Sequence, residues 1–591
     1  MTMPKRNSVV TLLGLGILLT SVLSIPLKIP IVEASGTIYI RANGKVSGTD
    51  KITSADNVTY KFLDNVNDEI VVYRSDIIID GNGYKLQGNR RGTGITMYGY
   101  GMKNVTVKNM EIREFGTGID LIWASNITVT GNIIANNSWW GGEGILVRYS
   151  PNNTISENII ANNTGAAIAM WNAAPILIDH IIIDIPSIIH LLQHGKNNQI
   201  FENTITNNNI GIYISRSSDN TILGNNMTTN NYDIWLEDSN HNTIAGNNIT
   251  GNSLGGGIGI YGSSNYVSGN NVTNTFGGIG LIGTNNTAYG NNVLNCSYVG
   301  FYLRGSFNNM SENALKNNGE GLYLYSCSNN SITGNDITYN DCGIRFDYSS
   351  NNTLTENNIR NNDYGIKIDS YCYWNSIYHN NFIENTQHVY IPESIPINFW
   401  DDSYPSGGNY WSDYNGTDSD SDGVGDTQYV INENNTDRFP LMGMFHSFTV
   451  EVPPYLSNVT ETVEVITNST ISDLELCAWL SSPNEYFQSG QLFLLFNVTG
   501  EDTTFGFCRM MIPNNVLNTS SYVVLINGQF VNSTVLPCSN SSHTYLYFNY
   551  THSTHEVIIT IPELPTHSVL LLSMIAILLA ATVYRRNRKV K

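Results

Sequence analysis

Asn220-Thr221-Ile222-Leu223-Gly224-Asn225 returns as Asn242-Thr243-Ile244-Ala245-Gly246-Asn247, as Asn330-Ser331-Ile332-Thr333-Gly334-Asn335 and as Asn352-Thr353-Leu354-Thr355-Glu356-Asn357. The closing Asn of each hexapeptide belongs to a series: Asn203, Asn225, Asn247, Asn270, Asn291, Asn313, Asn335, Asn357 and Asn380, with Asn109, Asn132 and Asn158 as earlier members. The step is about 22 residues, a solenoid period. Each unit carries three short strand signals, as in Asn242-Thr243-Ile244, Asn247-Asn248-Ile249-Thr250 and Gly257-Ile258-Gly259-Ile260. Alternating apolar residues would point inward and stack on the turns above and below. Asn at a corner tolerates left-handed backbone and can pair its amide with the next Asn. The Leu framework of leucine-rich repeats is missing, and propeller blades are longer. The predicted body is an all-β, right-handed parallel β-helix.

Working outward, the repeat predicts a solenoid over 75–397 with about 13 or 14 turns, and a cap over 35–74. Pro175 to Gly195 breaks the pattern; it is Ile-rich, with almost no Asn or Gly, and reads as a degenerate turn plus an insertion. His190 and His194 within it have helical i, i+4 spacing but no third metal ligand, so packing is the expected role. After Pro440 the Asn repeat stops. Runs such as Thr462-Val463-Glu464-Val465-Ile466 and Val557-Ile558-Ile559-Thr560-Ile561, with a hairpin signal at Asn527-Gly528, predict an Ig-like β-sandwich over 443–561.

Both ends carry membrane signals. Lys5 and Arg6 precede the apolar run Val9 to Ile25, and Val32-Glu33-Ala34 offers a cleavage site, so 1–34 reads as a signal peptide. Val569 to Tyr584 is a second apolar run, followed by Arg585, Arg586, Arg588, Lys589 and Lys591. Basic residues after a span face the cytoplasm, so 562–591 predicts one transmembrane helix with its body at the cell surface. Pro562-Glu563-Leu564-Pro565 resembles the Pro-Glu-Phe sorting tails of archaeal surface proteins. The formal net charge of −20 argues against nucleic acid. Seven cysteines include Cys327 and Cys342, candidates for a bridge between neighbouring turns. Asn-x-Ser/Thr sequons such as Asn458, Asn497 and Asn549 predict a glycoprotein.

Two motifs can carry function. Asp418, Asp420 and Asp422 at alternate positions, then Gly423, match the start of a calcium loop. Val424 would give a carbonyl and Asp426 a further ligand, placing structural Ca2+ in a junction over 398–442. Position twelve is Tyr429 rather than a bidentate Glu, so the loop is not an EF-hand.

The second motif is a surface stripe. In each turn the strand after the corner Gly alternates, and its outward positions align as Tyr213, Trp235, Gly259, Gly280, Tyr302, Tyr323, Arg345 and Lys367. A second outward column runs Ser215, Glu237, Tyr261, Ile282, Arg304, Tyr325, Asp347 and Asp369. Sugar rings stack on aromatic faces, so Tyr213, Trp235, Tyr261, Tyr302, Arg304, Tyr323 and Tyr325 are the candidate glycan-binding residues. Tyr also favours strands for packing reasons alone. Asp347 and Asp369, one turn apart, with Arg345 and Lys367 beside them, are the candidate catalytic set, since glycoside hydrolysis needs two flanking carboxyls.

The repeats, followed by Asn398-Phe399-Trp400-Asp401-Asp402, Gly408-Asn409-Tyr410-Trp411-Ser412-Asp413-Tyr414 and Asp437-Arg438-Phe439-Pro440-Leu441, resemble the NosD-like β-helix family over about 75–442. That family shares its repeat with the CASH domains of carbohydrate-binding and sugar-hydrolysing proteins. The resemblance implies the β-helix and, for function, a periplasmic accessory role in copper-site assembly. Thirteen Met and eleven His are scattered here without the clustering that soft copper(I) sites need. The polygalacturonase motif set and the epimerase Asp-Pro-His-Asp are absent. The reading is a non-catalytic carbohydrate-binding or structural component of a cell envelope. The alternatives are a polysaccharide lyase, hydrolase or epimerase, and a copper accessory protein.

Overall fold

The computed structural model describes residues 36–138, 141–171, 195–251, 255–392, 396–452, 459–478, 492–519 and 521–561. The expected signal peptide, C-terminal span and sorting motif, and the pair His190 and His194, lie outside them. Among the described residues no helix is long and apolar enough to cross a membrane.

The repeat folds as a parallel β-solenoid with sheets of 16, 14 and 15 strands. One turn runs Ile210–Ser215 in the first sheet, Thr221–Leu223 in the second and Asn226–Thr228 in the third, before re-entering the first at Tyr232–Glu237. Register holds from turn to turn, so like stacks on like. Ile212, Ile234, Ile258, Ile279, Phe301, Leu322, Ile344 and Ile366 form one inward column, each at most 1% exposed. The expected 35–74 cap also contributes strands in parallel register: Ile38–Ile40 pairs with Ile70–Val72, and Thr59–Phe62 with Ile77–Asp80. Short antiparallel strands, Val46–Ser47 and Ile52–Thr53, close the edges of two sheets there, which removes a template for further pairing.

Asn does not do both corner jobs foreseen for it. The ladder Asn residues are buried, and before Asn398 and Asn409 are reached the preceding residue takes the left-handed backbone: Gly224 before Asn225, Glu312 before Asn313, His379 before Asn380. That preceding residue is Gly or Asn in many turns, but Glu, Thr, Phe and Trp also occupy it, held by the stacked turns on either side. Asn109 is such a left-handed residue, and the ladder position in its turn belongs to Met110.

There are three Asn ladders rather than one. The foreseen series runs from Asn132 through Asn158 and Asn203 to Asn409. The first Asn of the repeated hexapeptide builds a second, from Asn153 through Asn198, Asn220 and Asn242 to Asn398. A third, at the return to the first sheet, includes Asn163, Asn208 and Asn230, then Asn318, Asn340, Asn362 and Asn385 after an interruption by Thr275 and Cys296. Most rungs repeat one pattern. The backbone N–H and Nδ2 of one Asn both donate to Oδ1 of the next, and Nδ2 also donates to a backbone carbonyl, as Asn291 does to Asn313 and to Val267. Buried amides satisfied this completely stabilise a corner instead of costing desolvation.

Pro175 to Gly195, apart from Gly195 itself, lies outside the described residues. Thr154–Ser156 pairs directly with Gln199–Phe201, and Ile159–Ala161 with Thr204–Thr206. The turns on either side are therefore neighbours, although the ladder step there doubles to 45 residues. The expected Cys327–Cys342 bridge is not formed. Both thiols are free and buried, at opposite ends of the first-sheet strands, and Cys327 sits in a corner column with Ser349 and Cys372.

Beyond the solenoid lie two five-stranded antiparallel sheets. One contains Met444–Glu451, Thr460–Thr467 and Phe505–Pro513, the other Thr470–Ala478, Leu492–Thr499 and Thr554–Thr560. Val465, Met510 and Phe548 from one and Leu494, Phe496 and Val557 from the other share one buried cluster. Asn527 and Gly528, both at positive φ, turn the predicted hairpin. Asn381 holds this unit to the last turn through the N–H and C=O of Phe445 at 2.8 and 2.9 Å, and the His379 ring stacks on Phe445 at 4.0 Å.

Candidate functional site

The two outward columns read from the repeat are columns in the structure. Tyr213 pairs in register with Trp235, then Gly259, Gly280, Tyr302, Tyr323, Arg345 and Lys367. From Tyr213 onward the aromatic side chains of these columns form two groups separated by the glycines. In the first, Trp235 meets Tyr232 edge-on at 5.3 Å and Tyr261 at 5.1 Å. With Ile210, Tyr213 and Glu237 these rings line a cleft of ≈ 450 Å³. The Tyr213 hydroxyl donates to Glu237 at 2.5 Å, which fixes both rims. Tyr232 was not in the predicted set; it opens the same strand, and alternation would have placed it outward.

In the second group Tyr302 packs edge-on to Tyr323 at 5.5 Å and stacks near Tyr325 at 6.5 Å. Tyr325 continues to Tyr348 at 6.0 Å and Tyr348 to Tyr371 at 5.5 Å. The last two are 57% and 62% exposed, so the run turns off the sheet onto the adjoining corner. They escaped the sequence reading because they sit in corner loops, outside the strand alternation. Arg304 lies 5.7 Å over the Tyr325 ring and Arg345 5.1 Å over Tyr323.

The charged end is a closed network. Arg345 bonds Glu320 at 2.9 Å and Asp347 at 3.0 Å, and the Tyr323 hydroxyl donates to Asp347 at 2.6 Å. Asp347 is 6% exposed, so its carboxylate is committed to neighbours. Asp369 is exposed and accepts from the Ser370 N–H at 2.6 Å, while Lys367 lies 3.6 Å over the ring of Tyr364. The two carboxylates thus occupy different environments.

The same face carries a second acidic pair that the sequence reading passed over. Asp120 and Glu143 lie before Tyr213 in chain order, and Arg148 holds Asp120 through two guanidinium nitrogens. Thr117 donates to Glu143 at 3.3 Å. Burial raises both carboxyls above the usual carboxylate range, and the charge of Asp120 adds to the effect at Glu143. Gly118-Ile119-Asp120-Leu121 follows the same corner-glycine alternation that marked Tyr213.

The acidic loop lies where the solenoid ends. Carboxylate oxygens of Asp418, Asp420 and Asp422 come within 4.8 Å of one another. Asp418 accepts from the N–H groups of Asp422 and Gly423, each at 2.9 Å, and Asp422 from Val424 at 2.8 Å. Burial, followed by the neighbouring Asp422 and Asp420, raises Asp418 above the usual range. Asp426 stands apart from the three; its carboxylate accepts from the Ser419 N–H at 2.8 Å and ties the loop's start to its end. Val424 is buried with Leu441, Phe445 and Ile466.

The Trp and Asp residues that carried the family resemblance end the ladders. Asn398 donates to Asn435, whose Oδ1 also accepts from Trp400 Nε1 at 3.1 Å. Asn409 donates to Asp437, which also accepts from Trp411 Nε1 at 2.8 Å and the Phe439 N–H at 3.1 Å. Asn385 meets His388 Nδ1 at 3.2 Å. Arg438 clamps Asp401 with Nε and Nη2 at 3.0 and 2.6 Å.

Among solved structures the chain is similar to the periplasmic alginate epimerase AlgG, with 15% identity over 61–62% of this chain and 82% of that one, at a TM-score of 0.31. It is also similar to the Azotobacter vinelandii mannuronan C-5 epimerase AlgE6 A-module, with 12% identity over 62% of this chain and 90% of that one, at 0.29. The tailspike of E. coli bacteriophage HK620, solved with a pentasaccharide, shares 10% identity over 85% of this chain and 76% of that one, at 0.32. Likeness at this level concerns the fold alone. No curated protein matches the sequence. The family model described as periplasmic copper-binding protein (NosD) matches residues 65–258 and 254–416. The one ligand cluster of His, Cys, Asp or Glu among the described residues is all carboxylate, which suits hard cations. Met97, Met170, Met227 and Met310 are buried in separate turns, so among the described residues these soft donors assemble no copper site. The ladders, their Trp–Asp terminators and the extent of the match together place the chain in the NosD β-helix family.

Proposed function

We propose that this protein is a cell-surface β-helix that binds a glycan along the aromatic face of its first sheet without transforming it. The observation that carries this is the cleft lined by Tyr213, Tyr232, Trp235 and Tyr261, open to solvent and rimmed by one fixed carboxylate. Flat rings beside a positioned acceptor suit the C–H faces and hydroxyls of a sugar. Asp347 supports binding over catalysis, since Arg345 and the Tyr323 hydroxyl both hold its Oδ2 and the residue is 6% exposed.

The remaining expectations complete the picture. The apolar runs at both ends support export and anchoring by a C-terminal helix with a basic cytoplasmic tail. We read 443–561 as a β-sandwich spacer, supported by the cluster shared between its sheets, and its sequons as glycosylation sites. The Asp418, Asp420 and Asp422 oxygens support structural calcium in the junction.

The test is retention of the purified full-length chain, in detergent with calcium, on polygalacturonate, alginate, xylan, mannan and cellulose, with product sizing by mass spectrometry. At least one polymer is bound and returned unchanged, and Trp235→Ala weakens binding about tenfold, or 1.4 kcal/mol. Retention by none sinks the reading. New oligosaccharides lost on Asp120→Asn would establish the enzymatic alternative, which the raised pair Asp120 and Glu143 favours over Asp347 and Asp369. The same loss on Asp347→Asn would instead restore the pair expected from sequence.

A further inference from the structure

We infer that the bound glycan is an unbranched chain lying along the solenoid axis, whose rings cross a glycine-floored trough between the two aromatic groups. This rests on the glycan-binding reading above and specifies what that site accepts.

The floor is the unexplained feature. In two consecutive turns the first two outward positions of the first-sheet strand are glycine: Gly256 and Gly259, then Gly277 and Gly280. None of the four has left-handed backbone, so the fold does not require glycine there. Side chains would fit at three of them. A Cβ on Gly280 would meet only the Ile258 carbonyl oxygen at 3.9 Å, one on Gly277 only Val299 Cγ1 at 3.9 Å, and one on Gly256 only the Gly277 oxygen at 3.7 Å. At Gly259 the space is taken by the indole of Trp235, whose Cε3 would lie 3.2 Å from a Cβ. Corresponding positions in the flanking turns carry Tyr232 and Trp235 on one side and Val299 and Tyr302 on the other. Three of the missing side chains therefore leave a depression where the rest of the stripe is filled.

Its boundaries define the occupant. From the strand of Trp235 to that of Tyr302 is three strand spacings, about 14 Å, which is longer than one sugar ring. Tyr261, 39% exposed, and Ile282 flank one side. Phe276 and Tyr298, each 46% exposed and stacked at 5.4 Å, flank the other. Walls on two sides, with the two aromatic groups beyond its ends, direct a chain along the axis. The depth is that of one absent side chain, so a flat ring face is admitted and a branch pointing at the floor is not.

The test uses calorimetry on the full-length chain with size-graded oligomers, dimer to octamer, of polygalacturonate, alginate, xylan, mannan and cellulose. Affinity should rise at least tenfold between dimer and hexamer. Gly280→Tyr, which copies Tyr302 of the next turn, should remove that rise while leaving dimer binding unchanged. Gly277→Val, copying Val299, fills the same floor and serves if the first variant fails to fold. Equal binding of dimer and hexamer, or a wild-type response from either folded variant, overturns the trough while glycan binding stands. Failure of every oligomer and polymer to bind overturns both.

Discussion

The turns between Asn198 and Asn385 and the junction that follows them solve one problem in opposite ways. Inside the repeat each buried corner amide both donates and accepts, so every rung needs another like it, and Asn270, Asn291 and Asn313 are interchangeable. A ladder has to end on an acceptor whose own donors, if it has any, are met outside the ladder. The junction ends one ladder with Asp437, which accepts three N–H groups, one with His388, which meets the amide of Asn385, and one with Asn435, whose Nδ2 donates to Pro396 and Asn432. The ladders are therefore uncharged, whereas the place where they stop holds buried groups that titrate. Repetition is indifferent to pH, and termination is not.

The largest expected effect breaks a ladder. Asn291→Ala removes the Oδ1 that accepts from the N–H and Nδ2 of Asn270, along with the Nδ2 donor to Val267 and Asn313. Several buried groups lose partners at once, so denaturant unfolding should show a loss of about 4 kcal/mol. The loss should be equal at pH 5 and pH 8, because nothing in the rung ionises. A loss below about 1 kcal/mol would show that water or neighbouring amides replace the rung.

Much of this architecture was legible because the repeat writes each structural role many times. Asn225, Asn247 and Asn335 recur at one spacing, and a recurrence fixes both period and column. The second ladder was legible too, since Asn220 and Asn242 open the same hexapeptide, but two features of one residue were merged: amide pairing belongs to Asn225 and left-handed backbone to Gly224. The outward columns were read correctly in register because alternation is local. What stayed hidden occurs once. Tyr348 and Tyr371 lie on corners, outside any strand period. Asp120 and Glu143 precede the regular turns. Asp437 takes its role from Asn409 and Trp411, which converge on it only after folding.

A smaller effect, confined to the junction, would sharpen the contrast. Burial, followed by the charge of Glu356, pushes Glu464 up to about 7, with Asp402 adding and Arg509 opposing. Burial pushes Asp437 up to about 7 as well, against the pull of its N–H donors. The stability such acids contribute is full below their unfolded values, near pH 4, and is lost as pH rises through 7. Burial holds His379 and His446 down to about 4, so their contribution is present above pH 6.5 and lost as pH falls through 4. Between about pH 4.5 and 6.5 the two acids lose what the two histidines gain, so the net response of the junction is small and each group is read through its own variant. In Glu464→Gln, hydrogen exchange of Met444–Glu451 should slow at pH 8 relative to the wild type, while amides of Asn271–Thr273 hold steady. Glu464→Gln should stabilise the junction at pH 8 by roughly 3 kcal/mol and change little at pH 4.5. An identical pH response in both strands would place the titrating groups elsewhere.

The smallest effect concerns the loop beside those acids. Asp418 accepts two backbone N–H bonds, each of which favours its ionised form, yet burial and two neighbouring carboxylates hold it above the usual range. A divalent cation among Asp418, Asp420 and Asp422 would reverse the like-charge part of that balance. Extracellular calcium modules bind with dissociation constants of about 10⁻⁴ to 10⁻³ M. At about 1 mM calcium, linkage then gives only ~0.4–1.4 kcal/mol. The gain should appear as a higher unfolding midpoint with calcium than with chelator, and it should grow as pH rises through the carboxylate range. Asp420→Asn should abolish the gain and leave the chelated protein unchanged, because Asp420 is exposed and the loop's backbone is held by Asp418, Asp422 and Asp426. A midpoint insensitive to calcium would mean that the loop is fixed by those bonds alone, and that the solenoid joins the following sheets without a metal.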